Sequence, residues 1–383
     1  MVNFQEKYKA RTDESLKRIK SAYEHLPDNK LPVMIIDIPY GLTSIPAGEA
    51  PGDYFTNVKS MFDHQVKYIA QHMENINDDF VPVLFPWYGT GVVPSAFGCK
   101  IAFNEGMEPA IASKAIFEPE DVKKLTPPDP YRDGLMPKVL ECIDYMRNNS
   151  DLPVDFTDCQ GPLTTALSLC GPETLFLWFY EYPEVVHELM DFCAETLIEW
   201  ITVQKEHAGQ KTNSGAFPHR MALPEGHGGV WMSDDDCTVI SAEHYREFVV
   251  PYNSRILKAF GGGTLHFCGT AIHQLENFML TEGLTGINNF CMGDFSAVMK
   301  MQDVLEDKIA LMVCDHAPLD IDSYYAELFS VLKRKGVILA SFIDPNIALH
   351  KPPHSGTAGK HIPIERDPGE LVRKLKEVFC KYI

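Results

Sequence analysis

The sequence predicts one (β/α)8 TIM barrel with an N-terminal helical extension, and three observations carry that prediction. Eight apolar, strand-like runs recur between residues 31 and 345. Helical patterns separate them, and no G-x-G-x-x-G follows the first run. Strands alternating with helices build a parallel sheet covered on its faces, and eight such units close into a barrel. A doubly wound open sheet is the structural rival; the missing glycine fingerprint weakens its dinucleotide-binding version. With 383 residues, 45% of them hydrophobic, the chain affords a large core, and no low-complexity linker divides it.

In chain order, residues 1–30 read as a charged helix packed outside the barrel, and 31–383 as the barrel itself. The strand runs are LPVMIIDIP (31–39), FVPVLFPWYG (80–89), LPVDFTDCQGP (152–162), GGVWMSDDD (228–236), TLHFCG (264–269), GINNFCMGD (286–294), IALMVCDHAP (309–318) and GVILASFIDP (336–345). Residues 40–80 read as a long loop plus a helix, and 350–365 as an irregular loop. Stretches such as PEVVHELMDFCAETLIEWITVQKEHAG and SYYAELFSVLKRKG carry apolar residues at i, i+3 and i+4, the stripe of a helix that covers a sheet.

Charge and composition narrow the function. With 53 acidic against 34 basic side chains the formal net charge is -19, which argues against nucleic acid, anionic membrane, or a polyanionic substrate held by many cations. The N-terminal segment has no apolar core of a signal peptide, and no run of 18 apolar residues offers a membrane span. A cytoplasmic location is the expectation. In that reducing setting ten cysteines are metal ligands or packed thiols rather than disulfides. Composition leaves the oligomeric state open.

The chemistry is expected at the strand ends. His266 and Cys268 lie two apart in one strand, so they face the same way, and Gly269 ends the strand. Cys268, Cys291 and Cys314 fall 23 residues apart, each at the end of a successive strand. In a barrel such positions share one rim. Ile309, Leu311 and Val313 form a bulky face suited to the helices, which turns Ala310, Met312 and Cys314 inward and favours Cys314 over Cys291 as a ligand. Catalytic zinc keeps three protein ligands and an open position. Cys268 and Cys314 supply two, and the third is His266 or an acid of SDDDC, Asp234, Asp235 or Asp236. The competing structural reading is a packed, reduced thiol cluster, with SDDD as the acidic start of a helix. His227, His244 and His316 read as ordinary polar or capping histidines.

Aromatic residues gather at the same rim. Phe85, Trp87 and Tyr88 end the second run, and Trp231 and Phe290 project toward them, so the five form either a pocket for a flat apolar substrate or part of the core. Asp158, Cys159 and Gln160 end the third run, where Gln160 is placed to orient a substrate.

The segments DFTDCQGPLTTALSLCGPETLFLWFYEYPEVVHELMDF, EHYREFVVPYNSRIL, LHFCG and VCDHAP resemble successive signatures of the uroporphyrinogen decarboxylase superfamily, from about residue 30 to the end. The resemblance implies a (β/α)8 barrel. The arginine-rich early motif of true decarboxylases is replaced by DIPYGLTSIPAGEAPGDY, without Arg or Lys, so porphyrinogen decarboxylation is not expected. The chain is more similar to the zinc-dependent methyltransferases of anaerobes that work with corrinoid proteins. That branch implies Zn2+ on His266, Cys268, Cys314 and Asp236, with Cys291 as the alternative thiolate and Asp236 and His266 as catalytic groups. It implies a corrinoid carried by a partner protein, since no D-x-H-x-x-G pattern is present. Members that methylate coenzyme M carry a cysteine near strand eight that GVILASFIDP lacks. The expected reaction is therefore O-demethylation: transfer of methyl from a small methyl ether, such as a methoxylated aromatic, to Co(I). The alternatives are methylation of a thiol from methylcobamide, a metal-free decarboxylase-like protein, and a non-catalytic ligand-binding barrel.

Overall fold

The computed structural model describes residues 4–27, 30–37, 43–44, 48–104, 107–217, 221–352 and 358–382. Six strands make one sheet: β1 (Val33–Asp37), β2 (Val230–Ser233), β3 (Gly263–Cys268), β4 (Leu284–Phe290), β5 (Ala310–His316) and β6 (Val337–Ile343). Their spatial order is β1-β6-β5-β4-β3-β2, and every pairing is parallel. The second and third runs bridge the two edges as extended segments. Asp79 N donates to Val33 O at 2.8 Å, Leu84 pairs with Val154, and Gln160 pairs with Ser233. The ring of eight staves closes as an α/β barrel of TIM type.

Side-chain alternation sorts the strands as the sequence requires. Ala310, Met312 and Cys314 join an inner cluster with Met34, Ile36, Ile338 and Phe342. Leu311 and Val313 face outward into the larger cluster that the helices cover.

The N-terminal helix departs from the expected placement outside the barrel. Over α1 (Phe4–Tyr23), the stripe Ile19, Ala22 and Tyr23 enters the inner cluster. The Tyr23 hydroxyl stands 3.1 Å from Thr264 Oγ1 at the start of β3. Gly286 permits this approach, because a Cβ there would lie 2.6 Å from Thr264 Oγ1 and 3.1 Å from the Tyr23 oxygen. The helix plugs the floor of the barrel and leaves the carboxyl ends of the strands for chemistry.

Part of the segment read as an irregular loop is instead a hairpin, Ile347–His350 against Lys360–Pro363. Residues 353–357 within it, and 38–42 and 45–47 of the DIPYGLTSIPAGEAPGDY loop, lie outside the described residues. Among the described residues no helix is long and apolar enough to cross a membrane.

Candidate metal centre at the strand ends

Three consecutive aspartates after β2 have three different fates. The Asp234 N–H donates to His266 O at 2.7 Å, which ties the turn to β3. Its side chain turns into the core, where Oδ2 accepts from the Tyr245 hydroxyl and from Asn253 Nδ2. Burial lifts that carboxyl to about 7. Asp235, which opens the short 3-10 turn Asp235–Thr238, accepts from the Cys268 N–H at 2.7 Å. Asp236 sits half-buried beside Thr164, its carboxyl raised by burial. The turn therefore delivers Asp235, not the expected Asp236, to the H-x-C pair.

Asp235, His266 and Cys268 bring one donor atom each within 4.8 Å of one another. His266 Nε2 lies 3.5 Å from Cys268 Sγ and 3.8 Å from Asp235 Oδ1. Around a tetrahedral zinc, bond lengths of about 2.0–2.3 Å put N and S about 3.5 Å apart and N and O about 3.4 Å apart. The set fits zinc with little movement. Free of metal, the Cys268 thiol is pushed up by burial and by the neighbouring Asp235 carboxylate. A dication is what turns such a thiol into a ligand.

The imidazole is held for this task. Its Nδ1 is 2.6 Å from Asn288 Oδ1, an amide oxygen that only accepts, so the proton belongs on Nδ1 and the Nε2 lone pair faces the other donors. Burial lowers the histidine, which keeps it neutral and able to ligate. The ring lies between Trp231, at 5.5 Å, and Phe290, at 5.8 Å.

Two expected thiolates lie elsewhere. Cys314 faces the barrel interior but is fully buried, and its Sγ accepts a hydrogen bond from Asn288 Nδ2 at 2.8 Å. Asn288 thus stands between Cys314 and His266. Cys291 faces the helix layer and donates to Asp315 Oδ2 at 2.9 Å. The hydrogen-bonded register β3–β4–β5 explains the difference: Cys268 pairs with Phe290, which pairs with Cys314, so an aromatic occupies the pair position between the two thiols.

A cavity of about 630 Å³ opens beside the three donors. Trp87, Trp231, Phe290 and Gln160 line it as the sequence anticipates. Phe85 and Tyr88 are fully buried in the outer core instead, because the segment meets the barrel through the isolated Leu84–Val154 bridge rather than as a regular strand, so alternation does not dictate its faces. His316 also lines the cavity, 4.3 Å ring to ring from His361, and burial holds it down at about 4.

Two acids complete the wall. Asp158, 5% exposed, accepts from Gln160 Nε2 and is raised to about 8, first by burial and then by the Glu108 and Asp235 charges. Burial lifts Glu108 to about 7, an effect that the neighbouring Trp87 indole partly offsets. No Lys or Arg is found among the described residues that line the cavity. Asn288 was legible only as a polar residue in a strand. Glu108 sits in a loop without any sequence signal.

The profile of the uroporphyrinogen decarboxylase (URO-D) family matches residues 84–212, from the second stave through the helix Pro183–Ala208. The match to that family's model is confined to this third of the chain. A methylated-thiol–coenzyme M methyltransferase of Methanosarcina mazei is 29% identical over 188 residues, 48% of this chain and 46% of that protein. A uroporphyrinogen decarboxylase of Vibrio campbellii is 28% identical over 125 residues, 31% and 34% of the two chains. The chain thus matches less than half the length of either curated relative. Among solved structures, a methyltransferase from Methanosarcina mazei superposes with a TM-score of 0.67 at 18% identity, covering 96% of this chain and 98% of that one. That likeness shows a shared fold over nearly the whole chain.

Proposed function

We propose that this protein is a zinc-dependent methyltransferase that moves methyl from a methyl ether, a methoxylated aromatic in the first instance, to the Co(I) corrinoid of a separate protein. One observation carries the reading: a carboxylate, an imidazole locked by Asn288 and a thiol converge at the mouth of an aromatic-walled cavity. Their placement at the carboxyl ends of barrel strands is where this fold carries its chemistry.

Asp235, His266 and Cys268 would hold the ion beside the cavity that they line. Bound zinc supplies Lewis acidity toward the oxygen that loses its methyl group. The protein does the rest. Trp231, Phe290 and Trp87 give a flat donor apolar walls and exclude water. Asn288 holds the His266 proton on Nδ1, so Nε2 remains a ligand throughout. Gln160, bonded to Asp158, presents its remaining amide capacity to ring substituents.

A second reading, methylation of a thiol such as coenzyme M from methylcobamide, is favoured by the name of the Methanosarcina mazei relative. The cavity opposes it. A sulfonate needs a cation, and the described lining offers no Lys or Arg. The same lack opposes a polycarboxylate porphyrinogen.

The test incubates zinc-loaded protein with cobalt(I) cobalamin and guaiacyl or veratryl ethers, and in parallel with methylcobalamin and coenzyme M. Demethylation of an ether, lost in Cys268→Ala together with about one zinc per chain, is the expected result. Turnover only in the thiol direction, or turnover untouched by loss of the metal, would overturn the proposal.

A further inference from the structure

From the cavity wall we infer that the methyl donor carries a cationic group, an ammonium, held between the Trp87 and Trp231 indoles and the Glu108 and Asp158 carboxyls. The inference rests on the methyl-ether reading and names the class of ether: a methoxylated arylalkylamine.

A cavity meant for a neutral aromatic ether has no use for two acids beyond the metal ligands. The metal itself does not account for them. Asp235 and the Cys268 thiolate together carry the two negative charges that balance a dication, and Glu108 and Asp158, which burial holds toward the protonated form, have no cation of their own in the described lining. Asp158 is the more telling of the two. Its Oδ2 is satisfied by Gln160, whereas its buried Oδ1 has no hydrogen-bond partner among the described residues. A buried carboxylate oxygen without a partner is costly and marks a place that a ligand completes. Glu108 lines the same cavity, and the described lining offers neither acid a basic side chain.

The two indoles supply the other half. Trp87 and Trp231 both line the cavity, and a tryptophan face is the best side-chain partner for an organic cation. Desolvating an ammonium in such a site is offset by the two carboxyls, and desolvating the carboxyls is offset by the ammonium. A ligand hydroxyl would satisfy Asp158 Oδ1 but gives neither acid a cation to ionise against. An anionic ring substituent would oppose that ionisation. The wall therefore ranks donors as cation over neutral over anion.

The test uses three molecules that share one guaiacyl methyl ether: 3-methoxytyramine (cationic), guaiacol (neutral) and vanillate (anionic). Calorimetry on the zinc-loaded protein gives affinities, and cobalt(I) cobalamin reports demethylation. We expect 3-methoxytyramine to bind at least tenfold more tightly than guaiacol, with vanillate weakest. Glu108→Gln and Asp158→Asn should each bring the first ratio toward one. Circular dichroism checks folding, and the less buried Glu108 site keeps the test decisive if Asp158→Asn misfolds. Guaiacol or vanillate binding as tightly as 3-methoxytyramine would overturn the inference while ether demethylation still stands. Preferential, Glu108-dependent binding of 3-methoxytyramine without demethylation of any of the three would overturn the methyl-ether reading and leave the cation site in place.

Discussion

His266 Nδ1 and Asn288 Oδ1 stand 2.6 Å apart, side by side in register on adjacent parallel strands. This contact decides which face of the imidazole is a donor and which a ligand. The same amide reaches Cys314 with its NH2 group, so one side chain fixes the orientation of the histidine and occupies the neighbouring thiol.

Asn288→Ala removes the acceptor and frees the ring to take the other tautomer. Zinc affinity should fall about 10- to 100-fold, the usual effect of losing a partner behind a metal-bound histidine. Competition titration against a chelating dye measures it. Unchanged affinity would show that Asn288 does not orient the ligand.

The thiols separate cleanly by mutation. Cys314→Ala and Cys291→Ala should each retain about one zinc per chain, because Cys314 is engaged by Asn288 and Cys291 by Asp315. Cys268→Ala should lose it. Elemental analysis of purified variants gives the answer, and loss of zinc in Cys314→Ala would place that thiol back among the ligands.

Stability of the metal-free protein should decline as pH rises from about 6.5 to 8. Burial raises Asp158 to about 8 and Asp234 to about 7. The folded state therefore keeps protons that the unfolded chain releases near pH 4, and stability falls as pH climbs through that interval. His316, held down at about 4, has the opposite sign, but its contribution ends by about pH 6.5. Above that the carboxyls dominate, with a slope of up to about 1.4 kcal/mol per pH unit for each fully protonated buried group. Urea midpoints at stepped pH should show the decline, and Asp158→Asn should flatten it. A profile that rises with pH would contradict the assigned burial.

At the floor of the barrel, Tyr23→Ala should destabilise by about 3–5 kcal/mol, as for other large buried rings. Tyr23→Phe removes only the Thr264 contact and should lose about 1 kcal/mol. Chemical denaturation distinguishes a plug from an ornament: equal, small effects would mean that α1 merely decorates the barrel.

Much of this was legible in the residues. Eight apolar runs separated by helical patterns specify eight staves, although only six hold a continuous ladder. Period-2 alternation turned Cys314 inward correctly, since Ala310 and Met312 are small or slender where Leu311 and Val313 are bulky. Alternation says nothing about what fills the space between two inward side chains, so Asn288 intervening between His266 and Cys314 could not be seen. The choice among Asp234, Asp235 and Asp236 depended on the 3-10 turn, whose geometry three identical residues do not encode. Phe85 and Tyr88 went to the core because their segment holds only an isolated bridge at Leu84 and not a regular strand. Glu108 reaches the cavity from a loop by tertiary placement alone.

The central claim is that Asp235, His266 and Cys268 share one ion. X-ray absorption at the zinc edge of the loaded protein tests it most directly. The account predicts a single sulfur scatterer at about 2.3 Å, with nitrogen and oxygen at about 2.0–2.2 Å, including an imidazole. Two sulfurs, or none, would contradict it.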